Sequence, residues 1–123
     1  MSRPSLSSQR GAVTAELAMA VPLLMAVTVG LVWLLALATA QVRMVDATRE
    51  TARAVARGDS TDEALERGRL VAPAGAALTV TTLDDRIVVS GSVTVNGIGG
   101  LFEALPSVEL TADAVAARED PPP

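Results

Sequence analysis

The chain opens on a short polar stretch, MSRPSLSSQRG, and then changes character. Ala12 to Ala40 is almost wholly apolar and carries one charged side chain, Glu16. A helix over that run measures about 43 Å, more than the roughly 30 Å hydrocarbon core of a bilayer. The run also exceeds the roughly 7–15 apolar residues of a signal-peptide core. Helical periodicity then continues through QVRMVDATRETARAVAR, Gln41 to Arg57, which contains no Gly or Pro. Val42, Val45, Ala52 and Ala56 share one stripe, interrupted by Arg49. Arg43, Asp46, Glu50, Arg53 and Arg57 share another, with opposite charges three apart at Arg43–Asp46, Asp46–Arg49 and Glu50–Arg53. Gly58, behind a last-turn Arg, stands where a helix-ending glycine belongs. The pattern therefore predicts one helix from about Ala12 to Arg57, apolar first and amphipathic afterwards.

Beyond Gly58 the period shortens. Ser60-Thr61-Asp62-Glu63 is a capping-box pattern and opens a short helix over about Thr61–Val71, closed by Pro73 and Gly75. Alternation with period two then marks three strands: Ala77–Leu83, Arg86–Val95 and Ser107–Ala117. Asp84-Asp85 is a tight connection between the first two. Ile87, Val89, Val93 and Val95 point one way, and Ser90, Ser92 and Thr94 the other. In the third strand Val108, Leu110, Ala112, Ala114 and Ala116 share a face. The glycine-rich stretch 96–106 reads as a loop with a short helical turn, and 118–123, ending in three prolines, as a disordered tail. Three antiparallel strands need a cover for their apolar face. The amphipathic end of the long helix and the short second helix provide it, which makes an α+β helix-on-sheet domain carried on a membrane helix.

Composition narrows the function more than the fold. The chain has 123 residues, and about 80 of them lie beyond the apolar run, enough for one modest core. Trp33 and Phe102 are the only aromatic residues, so Ala, Val and Leu must do the packing. Net charge is −4, all ten basic residues are Arg, and no basic stripe or block of like charge points to nucleic acid. His, Cys and Tyr are absent. That removes the commonest general base, disulfides and the commonest metal ligands. No nucleophile–base constellation stands out, so an enzyme is not expected, nor are a cofactor, a metal or a small-molecule substrate.

The most informative site is Arg10-Gly11-Ala12 followed by Glu16. A glycine ends a basic leader and an apolar helix starts at once, with a carboxylate five residues into it. A charge within a membrane helix costs about 2.5–3.5 kcal/mol on insertion scales. If the chain is cut after Gly11, the new amino group at Ala12 lies one turn from Glu16, on the same subunit or a neighbour. The alternative is an uncut anchor with Glu16 in the wet interface. Pro22 removes a backbone hydrogen bond in the span and Gly30 allows close helix approach; both are common in membrane helices.

The run RGAVTAELAMAVPLLMAV, followed by QVRMVDATRETARAVARGD, resembles the TadE family of minor pilins (pseudopilins) of the tight-adherence secretion system, closest to its actinobacterial branch. The resemblance covers about Arg10 to Asp59 and is carried by Gly11, Glu16, Pro22 and the Asp46–Arg53 run. Leu17 stands where related prepilins often have an aromatic, and the cysteines of some relatives are missing. The resemblance implies a prepilin peptidase cutting between Gly11 and Ala12, with Ala12 the residue open to methylation. It gives Glu16 and Pro22 to helix registration and assembly. Other pilin subunits, the tight-adherence machinery and membrane lipid are the implied partners. The implied organisation is a leader over 1–11, a membrane segment over 12–40, its amphipathic continuation over 41–58, an exported domain over 59–117 and a tail over 118–123. Charge alone leaves the orientation open, because Arg43, Arg49, Arg53 and Arg57 follow the span while Arg3 and Arg10 precede it. The resemblance places the N-terminus inside and the domain outside the cytoplasmic membrane.

Several features compete with this reading. Ala38-Thr39-Ala40 is an A-x-A pattern that would suit signal peptidase and a secreted binding domain, and an uncut anchor would carry an accessory domain. Arg57-Gly58-Asp59 spells an adhesion tripeptide but falls at a helix end. Asp59, Asp62 and Glu63 fit helix capping better than calcium. Gly97-Ile98-Gly99-Gly100 has no phosphate-binding pattern.

Overall fold

The computed structural model describes residues 6–97, 100 and 103–118. Most of the 118–123 tail, the first five residues of the leader and part of the 96–106 loop lie outside the described residues. The element order is α1 (Leu6–Ala56), α2 (Thr61–Val71), β1 (Ala77–Leu83), β2 (Arg86–Val95) and β3 (Val108–Ala117). The α+β expectation is borne out, and the second helix and first two strands have the bounds the pattern predicts. β3 starts one residue later than expected, and α1 begins at Leu6 rather than about Ala12. Nothing in Leu6–Arg10 breaks a helix, and Gly11 alone weakens it, by about 1 kcal/mol against Ala.

The chain divides into two compact units, Met1–Leu34 and Leu35–Pro123. In the first, the described chain is helix throughout, and from Gln9 onward it is exposed apart from Ala20, Val29, Gly30 and Trp33, which are half-buried. Leu17, Met19, Leu23, Leu24 and Leu31 are each at least 60 % exposed, a surface that water disfavours and lipid or other apolar helices suit.

In the second unit β1, β2 and β3 form one antiparallel sheet in that order. Leu83 pairs with Arg86 across a two-residue turn, and Ile87, Val89 and Val93 stand opposite Ala116, Ala114 and Leu110. Asp84 takes a left-handed conformation, φ +49°, which lets two residues reverse the chain. The sheet's inner face carries two apolar clusters along α1. Met44 meets Val93 and Ala112, with Leu78 and Leu110 against them. Ala52 meets Ile87 and Val89, with Val80 and Ala114 against them. The lower-numbered end of this helical segment thus lies over the C-terminal end of β2, so the segment runs antiparallel to β2. Between the clusters sits Gly91, where a Cβ would meet Met44 Sδ at 2.6 Å and Thr48 Cγ2 at 2.9 Å. The glycine lets helix and sheet approach at their midpoint.

The buried line of α1 overlaps only part of the stripe that the apolar pattern marks: Ala52 is buried and Val45 and Ala56 pack at the edge of the core. Met44, Ala47, Thr48, Thr51 and Ala54 are fully buried, whereas Val42 is 60 % exposed. The burial centre is turned by roughly one residue, about 100°, from the Val42–Val45–Ala52–Ala56 line. Two threonines hide it. Thr48 Oγ1 donates to the Val45 carbonyl and Thr51 Oγ1 to the Ala47 carbonyl, both at 2.9 Å. Their polarity is satisfied inside the helix, leaving methyls to pack.

α2 lies against the opposite flank of α1 from β3. Its Gly68 approaches Thr51, the Ala47 carbonyl and Leu78 so closely that a Cβ would collide with them. The helix starts at a complete capping box, Ser60 with Glu63. Its C-terminus is held by Arg43, whose Nε and Nη2 donate to the carbonyls of Val71 and Ala72 at 3.1 and 3.3 Å. Arg43 therefore serves α2 rather than pairing with Asp46. Of the three spaced pairs the sequence offers, Glu50–Arg53 closes, at 3.9 Å; among the described residues neither Arg43–Asp46 nor Asp46–Arg49 does.

Candidate functional site

The residues singled out in the leader and span all fall on α1. Arg10, Gly11, Ala12, Glu16 and Pro22 lie on continuous helix with exposed side chains or backbone. A Cβ at Gly11 would meet nothing within 4 Å, so its small size answers no packing need in the chain itself. The same holds at Gly30. Glu16 makes no ion pair within 4.0 Å among the described residues, although it stands one helical turn from Ala12 and its side chain leans toward that end. Pro22 sits inside the helix and leaves the Ala18 carbonyl without its helical donor.

The threonine hydroxyls of the apolar run are closed off, whereas the Trp33 indole N–H has no partner among the described residues. Thr14, Thr28 and Thr39 hydroxyls donate back to the carbonyls of Arg10, Leu24 and Leu35 at 2.8–2.9 Å. Each is a polar atom that asks nothing of its surroundings, which is what an apolar medium requires. Among the described residues this is the one helix long and apolar enough to cross a membrane by length and composition, and none of its most apolar window is buried. Ala38-Thr39-Ala40 lies inside the same helix.

The competing motifs resolve into helix ends. Gly58 takes φ +98°, its N–H meets the Val55 carbonyl at 3.0 Å, and the Asp59 N–H meets the Ala54 carbonyl at 3.1 Å. That is a Schellman cap. The Asp59 carboxylate pairs with Arg67 at 3.3 Å, so the tripeptide Arg57-Gly58-Asp59 is built into a corner. Ser60 Oγ donates to the Glu63 carboxylate at 2.9 Å, and the Ser60 N–H meets it at 3.3 Å. These two bonds, the side-chain one first, hold the Glu63 carboxyl below its ordinary value of 4.5. Among the described residues no three His, Cys, Asp or Glu gather as metal ligands.

What sequence reasoning missed is in the core beneath the site, at Thr48, Thr51, Gly68 and Gly91. The only available signal was the spacing of Met44, Thr48, Thr51 and Val55, which shows a second stripe once threonine is counted as able to bury. Comparison with known proteins adds one result. No curated protein and no solved structure matches the chain. The model of the family described as TadE-like protein matches residues 11–53, starting at Gly11 and ending in the charged part of α1. The chain is thus similar to the TadE-like family over its N-terminal helix, from the glycine before the apolar run to Arg53, about a third of its length.

Proposed function

We propose that this protein is a minor pilin of a tight-adherence type IV pilus, of the actinobacterial branch. On this reading it is a structural subunit, not an enzyme. It is cut between Gly11 and Ala12 by a prepilin peptidase, held in the cytoplasmic membrane by the apolar part of α1 with its N-terminus inside, and assembled with other pilin subunits by the tight-adherence machinery. The observation that carries the reading is the TadE-like match, which begins at Gly11, covers the exposed apolar run with its one carboxylate, Glu16, and ends at Arg53 in the amphipathic part of α1. The amino group created at Ala12 would give Glu16 a partner one turn away, where an unpaired charge is most costly. Pro22 would bend or locally loosen the helix for packing among its neighbours.

The cleavage bond lies within α1, so the peptidase must unwind the first turns. Gly11 makes that easier, since glycine favours helix least among residues other than proline. The test is the intact mass and first residue of the chain purified from its native membrane. A start at Ala12 supports the reading. A start at Gln41 means a secreted domain released by signal peptidase, and an intact Met1 means a plain anchor.

A further inference from the structure

We propose that Asn96-Gly97, at the end of β2, is a self-modification site where the chain converts its own asparagine to isoaspartate and aspartate. Asn96 is the sole asparagine of the chain, and no aspartate is followed by glycine. The pair begins directly after the last rung between β2 and β3, Val95 opposite Val108. It belongs to neither helix nor strand; Asn96 is exposed and Gly97 half-buried. In a two-residue hairpin, an Asn-Gly pair would be held by the turn, both residues at positive φ. The tight turn of this sheet is made by Asp84 and Asp85 instead. The connection from Val95 to Val108 is far longer, and neither Asn96 nor Gly97 takes a positive φ. Among the described residues the Gly97 N–H meets no backbone acceptor. The pair is therefore free of the ladder, of a helix and of the turn that would fix it.

The chemistry needs the backbone nitrogen after asparagine to lose its proton and reach the side-chain carbonyl carbon. A ladder or helix hydrogen bond holds that nitrogen away, and a Cβ on the following residue crowds it. Gly97 has no Cβ and gives the pair the widest choice of backbone angles. Its nitrogen attacks Asn96 Cγ, a new C–N bond closes a five-membered succinimide, and the bond from Cγ to Nδ2 breaks. Nδ2 leaves as ammonia, taking up the proton that the Gly97 nitrogen gave. Water then opens the ring. Opening at Cγ gives aspartate, and opening at the main-chain carbonyl gives isoaspartate, whose backbone runs through the former side chain. Water is the only co-reactant, and nothing is oxidised or reduced. Either product adds one negative charge to a chain of net charge −4. The extra backbone methylene of isoaspartate falls beyond the Val95–Val108 rung, so no β2–β3 pairing has to break for the reaction to proceed. Since no enzyme takes part, the extent of conversion records the age of the folded chain.

A sole asparagine makes the readout clean. The full-length chain, folded in detergent, would be kept in warm, mildly alkaline buffer beside the same chain unfolded in guanidinium chloride. The expected products are equimolar ammonia and a residue 96 that is mostly isoaspartate, separated from aspartate by peptide mapping. In water enriched in heavy oxygen, each converted chain should carry one heavy oxygen atom. The folded chain should react no more than about tenfold slower than the unfolded one, the factor set by about 1.4 kcal/mol of local ordering. Gly97→Ala should slow conversion by about tenfold or more in both states, because a methyl crowds the attacking nitrogen. Asn96→Gln should release no ammonia over the same period. Asparagine that stays intact in the folded chain while the unfolded chain reacts would show that the fold locks the pair. Aspartate without isoaspartate would show direct hydrolysis and no ring. Either result overturns the inference. None of these readouts involves the cut at Gly11 or the membrane, so the assembly-subunit reading stands or falls separately, on the mass measurement.

Discussion

Two glycines and two threonines decide how closely this small core packs. At Gly68 and Gly91 the neighbours are Thr51, Leu78, Met44 and Thr48, with no room for a methyl. Gly68→Ala and Gly91→Ala should each destabilise the sheet-bearing unit by about 1–3 kcal/mol, the usual cost of overpacking, read as a fall in melting temperature of the full chain in detergent. Pairing Gly68→Ala with Thr51→Ala should cost less than the sum of the two, because the second change clears the first collision. Additive losses would mean that the two side chains do not meet. Asp84 bears a different strain. At φ +49° an L-residue is penalised by roughly 1–2 kcal/mol and glycine is not, so Asp84→Gly should melt no lower than the parent and Asp84→Val clearly lower.

At the scale of elements, helix ends are the best-specified features. The capping box of α2 and the Schellman cap of α1 both stand where Ser60–Glu63 and Gly58 announce them. Such signals are legible because a cap is made by residues adjacent in sequence. The strands are legible for a similar reason, since alternation is enforced by the pleat itself. The buried line of α1 was not, because its centre is threonine and hydropathy counts threonine as polar. Ser60→Ala should cost about 1 kcal/mol of unit stability. The same cap has a pH signature. Glu63 is held below its unfolded value, so its stabilisation is present above about pH 4.5 and fades as pH falls through the lower, folded value. Melting temperature measured from pH 7 to pH 3 should fall less steeply in Glu63→Gln than in the parent; an unchanged profile would remove Glu63 from the account.

For the whole molecule, the consequences sit in the apolar run. Gly11 contacts nothing that a methyl would disturb, so Gly11→Ala should leave melting of the sheet-bearing unit unchanged. It should slow appearance of the chain starting at Ala12 by about fivefold or more, from the added cost of unwinding the helix alone. Equal processing of both chains would show that Gly11 is not what the peptidase requires. Glu16→Ala should likewise melt normally and be processed, yet be lost from sheared pilus fractions. Recovery at parental levels would remove the pairing role given to that carboxylate.

The sequence by itself determined the local matters: a helix too long and apolar for water, the caps, the strands and turns, and the run from Gly11 through Arg53 that carries the family resemblance. Each depends on neighbours in the chain, through periodicity, capping and turn conformation. Tertiary structure alone decided which flank of α1 is buried, that Arg43 leaves Asp46 to hold the end of α2, and that an alanine-floored groove stays open beside β3. Those outcomes depend on how close two backbones can come, which is set where Gly68 and Gly91 meet α1 from different elements, and no pattern along one segment contains that distance.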